Sequence, residues 1–165
     1  MTGASSWSFR EDDSRRIHGI LRSFLGETNA RTALIVDRTG QLVATVGEAP
    51  AFDPTAFASL TAADFSANDQ LARMLGEAEF GTLFHQGERE SMYLADVARR
   101  VILVVLFDNR TTLGLVKLRM KPAVGQLNQV FTEMFERTDD GTAPPAVEGG
   151  FLGEAEDEID RLFGA

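Results

Sequence analysis

Apolar residues recur at two different spacings along the chain, and the change of spacing separates predicted helices from predicted strands. Over about 9–25 they recur every three or four positions, which predicts an amphipathic helix that ends near Gly26. Its apolar stripe consists of Ile17, Ile20, Leu21 and Phe24. Residues 32–37 and 41–46 flank the short turn 38–40 and are rich in strand-forming types, which predicts a β-hairpin.

A second helix is predicted to begin at Asp53 and Pro54, because these residue types favour the N-cap and the first helical position. It is expected to end at Gly76, and Asp64 interrupts its apolar spacing. The residues expected on its core face are Phe57, Leu60, Ala67, Leu71 and Met74.

Three short strands are predicted next, at about 82–86, 91–97 and 101–107. The last is apolar throughout, so we expect it to be central and covered on both faces. A long helix over about 112–137 follows, and Pro122 is expected to kink or split it. The alternation in LGLVKLRM leaves a strand open for its first half. Its stripe consists of Leu113, Val116, Met120, Val124, Leu127, Phe131 and Met134.

The resulting order αββαβββα, with short connections, predicts an α+β fold with a five-stranded antiparallel sheet and helices on both faces. We expect one domain over 10–137, preceded by a flexible N-terminus at 1–9. The strand at 82–86 has few charges, and an uncharged edge strand favours pairing with another copy of the chain.

The C-terminal part of the chain has a different character. Residues 138–150 form a predicted linker with Pro and Gly, and residues 151–165 a predicted acidic amphipathic helix. So short a helix is marginal alone, so its apolar face is expected to bind a groove with a basic rim on a partner. Docking on its own domain is the alternative. The apolar residues of this segment that we expect at the interface are Phe151, Leu152, Ile159, Leu162 and Phe163.

Charge follows the same division. The net charge is −9, but the residues from 138 onward carry eight acids and one base. The preceding 137 residues carry seventeen acids and fifteen bases, so this part is nearly neutral and nucleic acid is not an expected partner. There is no cysteine, which excludes disulfides and fits a reducing compartment. We expect no signal peptide, and the apolar run 101–107 is too short to insert across a bilayer.

The usual catalytic motifs are missing from the sequence. It contains no GxxxxGK[ST] phosphate loop, no GxSxG nucleophile elbow and no HExxH zinc motif. The two histidines, His18 and His85, are far apart, and His85 is more readily a strand residue with a local hydrogen bond than a metal ligand. We therefore expect no catalytic residue, no cofactor, no metal and no active site of its own.

Several segments together resemble a known family. The hairpin LIVDRTGQLVATVG, the helix segment ASLTAAD, the segment FHQGERESMYLADV and the run RVILVVLFDNRTTLGLVKLRM appear in the family's order. They are similar to the roadblock/LC7 (dynein light chain) family, and within it to MglB-type regulators, which are GTPase-activating proteins for the Ras-like GTPase MglA. The resemblance covers about 10–137 and the terminal EDEIDRLF.

This resemblance implies a roadblock/LC7 fold and a homodimer, in which the second helices and neighbouring strands pair across a two-fold axis. It implies one MglA-type GTPase per dimer, and GTP hydrolysis stimulated by remodelling of the GTPase switch regions rather than by an arginine finger. It ties the C-terminal helix to nucleotide exchange. In the family this system controls cell polarity and gliding motility in bacteria, so a cytoplasmic location concentrated at a cell pole is expected.

The resemblance also implies where the GTPase binds, namely on the exposed side of the second helix, where small side chains allow close approach. The matching residues are Ser59, Ala63, Ser66, Ala67, Gln70 and Arg73. Packing of the small residues on the symmetry mate is the alternative. Arg89 and Arg110 are loop candidates for contacts with acidic or phosphate groups, and a role in surface solubility is the alternative for each.

The chain departs from the family pattern at two places on this helix. Gln70 stands where small residues are usual, and Asp64-Phe65 replaces a pair of the Gly/Asn type. These changes favour an alternative function, a roadblock-type adaptor or scaffold that binds a GTPase or motor complex without changing hydrolysis.

Overall fold

The computed structural model describes residues 10–137, so the predictions for the N-terminus 1–9, the linker 138–150 and the helix 151–165 lie outside it. The elements follow the predicted order αββαβββα. They are α1 (Glu11–Thr28), β1 (Thr32–Asp37), β2 (Leu42–Gly47), α2 (Pro54–Met74), β3 (Thr82–Gln86), β4 (Ser91–Val97), β5 (Val101–Phe107) and α3 (Leu113–Arg137).

The five strands form one antiparallel sheet in the order β2-β1-β5-β4-β3. The apolar strand β5 is the central one, as predicted, and nearly all of its side chains are buried. Within this sheet β3 is an edge strand, which confirms the expectation for 82–86.

Helices cover both faces of the sheet. On one face, Ala58, Ala62 and Phe65 of α2 pack against a cluster that includes Leu34 and Ile102. Since successive strand residues point to opposite faces, the neighbouring buried residues of β1 and β5 line the other face. That face is covered by α1 and by residues 113–132 of α3, which lie side by side and are joined by an ion pair of 3.6 Å between Arg119 and Glu27. Within the described range, every helix falls short of what a bilayer crossing requires in length or apolarity.

The prediction that α1 ends at Gly26 is wrong. The helix continues through Gly26 to Thr28, and Asn29 closes it in a left-handed conformation, φ 57°. The Asn29 N–H donates to the carbonyl of Leu25 at 2.9 Å. Asparagine tolerates this conformation better than most residues, so it replaces glycine as the helix terminator here.

Pro122 does not split α3, which runs as one helix from Leu113 to Arg137, and the strand alternative for its first half is wrong. Proline removes the hydrogen bond to the carbonyl four residues earlier, at Leu118. Both Pro122 and Leu118 are on the exposed side of the helix, where water can satisfy the freed carbonyl.

The start of α2 is as predicted, because the Thr55 N–H donates to Asp53 Oδ1 at 3.0 Å and Pro54 is in the first turn. The predicted core face is wrong at four of its five residues. Leu60, Leu71 and Met74 are 71%, 56% and 82% exposed, and Ala67 is also exposed. The prediction is correct for Phe57, which is half-buried and packs against the core cluster.

The face of α2 that does contact the sheet is narrow and built largely from small residues. Its buried apolar side chains are Ala58, Ala62, Phe65 and Ala72. Small side chains let the helix axis approach the sheet closely. Two stripes with helical spacing are therefore present on α2, and the one with the larger aliphatic residues points outward.

Candidate protein-binding surface

The outward side of α2 carries a continuous apolar stripe, which we call the outer stripe. All of its members are exposed, and they recur at helical spacing on the side opposite the core face. They are Leu60, Ala63, Ala67, Leu71 and Met74. An exposed apolar stripe of this kind is a candidate surface for contact with another protein.

A row of polar residues, which we call the polar border, runs along one side of the outer stripe. It consists of Ser59, Ser66, Gln70 and Arg73, all exposed. The α2 residues predicted from the resemblance to bind a GTPase therefore share one side of one helix with the outer stripe. Their role in binding stays a prediction.

The first turns of α2 approach the β1–β2 turn closely. Gly40 has a φ of +95°, and a Cβ added there would lie 3.1 Å from Ser59 Cα. The Ser59 hydroxyl lies 3.5 Å from the Gly40 carbonyl oxygen and can donate to it. This contact explains the glycine in the turn and holds the end of the polar border against the hairpin.

The edge strand β3 is tied to α2 by a histidine–carboxylate contact. His85 Nε2 and Asp64 Oδ2 lie 2.6 Å apart, with both side chains partly exposed. The sequence predicts a local hydrogen bond for His85, whereas the observed partner, Asp64, lies on α2. Asp64, which stood out as a departure from the family pattern, therefore has a structural contact.

A cluster beneath the polar border joins three segments of the chain. We call it the Arg38 clamp, and it consists of Arg38 in the β1–β2 turn, Asp69 on α2 and Asp96 in β4. Arg38 Nη1 donates to Asp69 Oδ2 at 2.6 Å, and Nη2 donates to Asp96 Oδ1. The guanidinium also lies over the Phe65 ring, 5.1 Å from its centroid.

Burial lowers the pKa of Arg38, but the hydrogen bonds and charges of Asp96 and Asp69 outweigh burial, so the pKa is raised overall. The guanidinium is therefore charged at every pH at which the protein folds. Sequence reasoning missed this cluster, because nothing in the spacing of residues 38, 69 and 96 connects them.

A second charged network ties the start of β1 to the loop after β5. Arg31 donates to Glu48 at 2.7 Å and to Glu90. Arg110 lies 3.0 Å from both Glu48 and Asp108. Hydrogen bonds from Arg31 and Arg110 lower the pKa of Glu48, and hydrogen bonds from Arg110 lower that of Asp108. The candidate Arg110 is thus engaged within the chain.

Residues 10–137 contain no group of three or more metal-ligating side chains that could hold an ion. Arg89 lies exposed between β3 and β4. The predicted interface residues of the C-terminal segment lie outside the described residues; these are Phe151, Leu152, Ile159, Leu162 and Phe163.

Comparison with known proteins identifies a matching family model and several similar solved structures. The Roadblock/LC7 domain family model matches residues 17–107. MglB of Myxococcus xanthus is 42% identical, with 72% of this chain and 96% of that chain covered and a TM-score of 0.69. The gliding protein MglB of Thermus thermophilus is 35% identical, with 78% and 97% covered and a TM-score of 0.72.

A further MglB structure, described in a tetrameric arrangement, is also 35% identical over 78% of this chain and 97% of that chain, with a TM-score of 0.73. No curated protein matches the sequence.

Proposed function

The chain belongs to the roadblock/LC7 family and is similar to MglB proteins, and from this premise we propose that it is a homodimeric regulator of an MglA-type Ras-like GTPase. The observation that carries the proposal is the outer stripe of α2 with its polar border. A single helix face presents apolar residues beside small and polar ones, so it suits contact with two different partners.

A second copy of the chain covers the outer stripe in this proposal. The edge strand β3 pairs with the same strand of the copy, so that the two sheets become continuous and the two α2 helices lie side by side. Uncharged edge strands favour this pairing. Burial of Leu60, Leu71 and Met74 between the copies removes the largest exposed aliphatic side chains of α2 from water.

The GTPase binds across the paired α2 helices, one GTPase per dimer, and contacts the polar border. Serine and alanine side chains let the backbone of a switch segment approach closely, and Gln70 offers both a donor and an acceptor. Bound there, the dimer remodels the switch regions so that the GTPase's own groups complete its hydrolytic site. Arg73 contacts the GTPase surface and does not enter the nucleotide site.

The segment 151–165 adds a second contact with the GTPase. Its apolar residues bind a groove and its acidic side chains meet a basic rim, and this contact promotes nucleotide exchange. By family analogy the complex acts in the cytoplasm, concentrated at a cell pole, and controls polarity and gliding motility.

The alternative is an adaptor or scaffold that binds a GTPase without changing its hydrolysis. Gln70 favours it, because a long side chain in the polar border keeps a switch segment farther away than a small one does. Asp64 does not favour it, since its carboxylate contacts His85 within the chain.

Titration calorimetry and light scattering with the MglA-type GTPase of the same organism test the proposal. We expect tighter binding to the GTPase loaded with a non-hydrolysable GTP analogue than with GDP, and a complex of two copies with one GTPase. Equal binding to both nucleotide states supports the adaptor, and absence of binding to either state overturns both functions.

A further inference from the structure

The contact between α2 and the sheet leaves the position of this helix weakly determined by packing alone. Three of the four buried apolar residues on its core face are alanines, and its two large side chains against the sheet, the half-buried Phe57 and the buried Phe65, both lie in the first twelve residues of the helix. Interlocking of large side chains normally fixes the rotation and axial position of a packed helix. After Phe65 the only buried residues of the helix are Asn68 and Ala72, so packing alone fixes the C-terminal half of α2 weakly.

The Arg38 clamp is in the right place to do so. The Asp69 carboxylate accepts a hydrogen bond from Arg38, which lies on the sheet side of α2. Asp69 directly precedes Gln70 of the polar border in the sequence. The guanidinium also lies over Phe65, one residue before Ser66. Through Asp96 the same guanidinium is anchored at the end of β4, which lies in the sheet.

The composition of the Arg38 clamp suits a role in positioning α2 better than a role in stabilising the fold. Arg38 Nε and Asp69 Oδ1 are buried and have no hydrogen-bond partner among the described residues. Two carboxylates share one guanidinium, so the cluster carries an excess negative charge. The Arg38 side chain is 30% exposed and those of Asp69 and Asp96 are 14% and 13% exposed, and even partial burial of such a cluster is costly, so apolar residues of similar shape stabilise a fold as well or better.

We propose that Arg38 is a positioning residue, which holds the C-terminal half of α2 through Asp69 and Asp96 in the orientation that the polar border needs for its partner. The effect on GTP hydrolysis rests on the proposed function, whereas the effect on α2 itself does not. Loss of the clamp lets the C-terminal half of α2 shift on the sheet and displaces Ser66 and Gln70.

Three full-length variants test this. Arg38→Met keeps the aliphatic stem and removes the hydrogen bonds, and Arg38→Lys keeps the charge. Arg31→Met is the matched control, because Arg31 also donates to two carboxylates, Glu48 and Glu90, but does not contact α2. Each variant is measured by hydrogen exchange of the α2 backbone, and by single-turnover GTP hydrolysis over a range of regulator concentrations.

We expect faster amide exchange in the C-terminal half of α2 for Arg38→Met, and a maximal hydrolysis rate lowered about tenfold even at saturation, since small misplacements weaken catalysis strongly. Arg38→Lys should have smaller effects than Arg38→Met on both the amide exchange of α2 and the maximal hydrolysis rate. Arg31→Met should change neither. If Arg38→Met disrupts folding, Asp69→Asn is the second variant, with the same expected changes in weaker form.

Unchanged exchange in α2 for Arg38→Met or Asp69→Asn overturns the proposal, as do equal losses for Arg38→Met and Arg31→Met, which indicate a general structural role. A wild-type protein that stimulates no GTPase refutes the proposed function alone, because the exchange data still decide the role of the clamp.

Discussion

At the scale of single residues, the charged network around Glu48 predicts that removing one of its arginines changes the pKa of neighbouring carboxyl groups measurably. Because Arg31 and Arg110 hold the pKa of Glu48 below its usual value, the ionised form is favoured in the folded state. A group whose pKa is lowered by folding stabilises the folded state at pH values above its pKa in the unfolded chain, which is near 4 for a glutamate. This contribution is lost as the pH falls through the pKa of the folded state. The Arg110→Ala variant should therefore have a higher pKa at both Glu48 and Asp108.

Carboxyl ¹³C NMR titration measures this change directly. Arg119→Ala is the control, since Arg119 pairs with Glu27 and not with Glu48. A Glu48 pKa that is identical in Arg110→Ala and the wild type would show that the contact is absent in solution.

The polar border predicts a second effect at this scale. Ser66→Arg or Gln70→Arg should remove GTPase binding, weakening it by about 100-fold or more, because a long side chain blocks close approach. Both positions are exposed and away from the core, so the fold should be kept. Ser23→Arg, at an exposed serine of α1, should bind normally. Calorimetry measures the affinity of each variant for the GTPase. Normal binding by both α2 variants would disprove the assignment of this surface.

At the scale of elements, α2 shows how far spacing can carry a prediction. Its bounds and its Asp53 cap could be predicted, because they depend on local hydrogen bonds. Its core face could not, because the larger residues Leu60, Leu71 and Met74 give the stronger hydrophobic signal. Periodicity identifies an apolar face but does not say whether the sheet or another molecule covers it.

The strands were more predictable than the contacts between elements. The bounds of β3, β4 and β5 follow from short apolar runs between turns, and the central place of β5 follows from its uninterrupted apolar character. The Arg38 clamp and the His85–Asp64 contact join residues distant in sequence, so only the folded arrangement reveals them.

The outer stripe predicts the behaviour of α2 as an interface. Leu71→Glu should weaken the dimer by about 2 kcal/mol or more, because a charge would be buried between the copies. Leu118→Glu, at a leucine of α3 that is 65% exposed, is the matched control and should leave the dimer unchanged. Sedimentation equilibrium gives the dimer constant, and equal constants for Leu71→Glu and the wild type would place the stripe outside the interface.

The C-terminal segment is an element with its own prediction. Deleting 148–165 should leave the fold and the dimer intact and weaken GTPase binding about tenfold. Apolar burial contributes roughly 1.5–3 kcal/mol for each fully covered side chain, and ordering the segment offsets part of it. Nucleotide release should fall more than hydrolysis stimulation. A truncated protein with unchanged affinity and unchanged release would show that the segment makes no contact with the GTPase.

At the scale of the whole molecule, the two faces of the described sheet are covered by helices that differ in the apolar surface they expose. One side carries α2 and its exposed outer stripe, and the other carries α1 and residues 113–132 of α3, packed over the buried strands. β3 is at the edge of the sheet, and the His85–Asp64 contact joins it to α2. A single dimer interface can therefore include both β3 and α2. In the proposed regulator, the surface that contacts the GTPase is the one that dimerisation completes.

Single-turnover hydrolysis of GTP by the MglA-type GTPase, measured with and without this protein, tests the central claim most directly. The account predicts a faster rate that saturates at two copies of the chain per GTPase and is lost in Ser66→Arg but kept in Ser23→Arg. A rate that stays at the intrinsic value, in the presence of a complex demonstrated by light scattering, would contradict regulation and identify the protein as an adaptor.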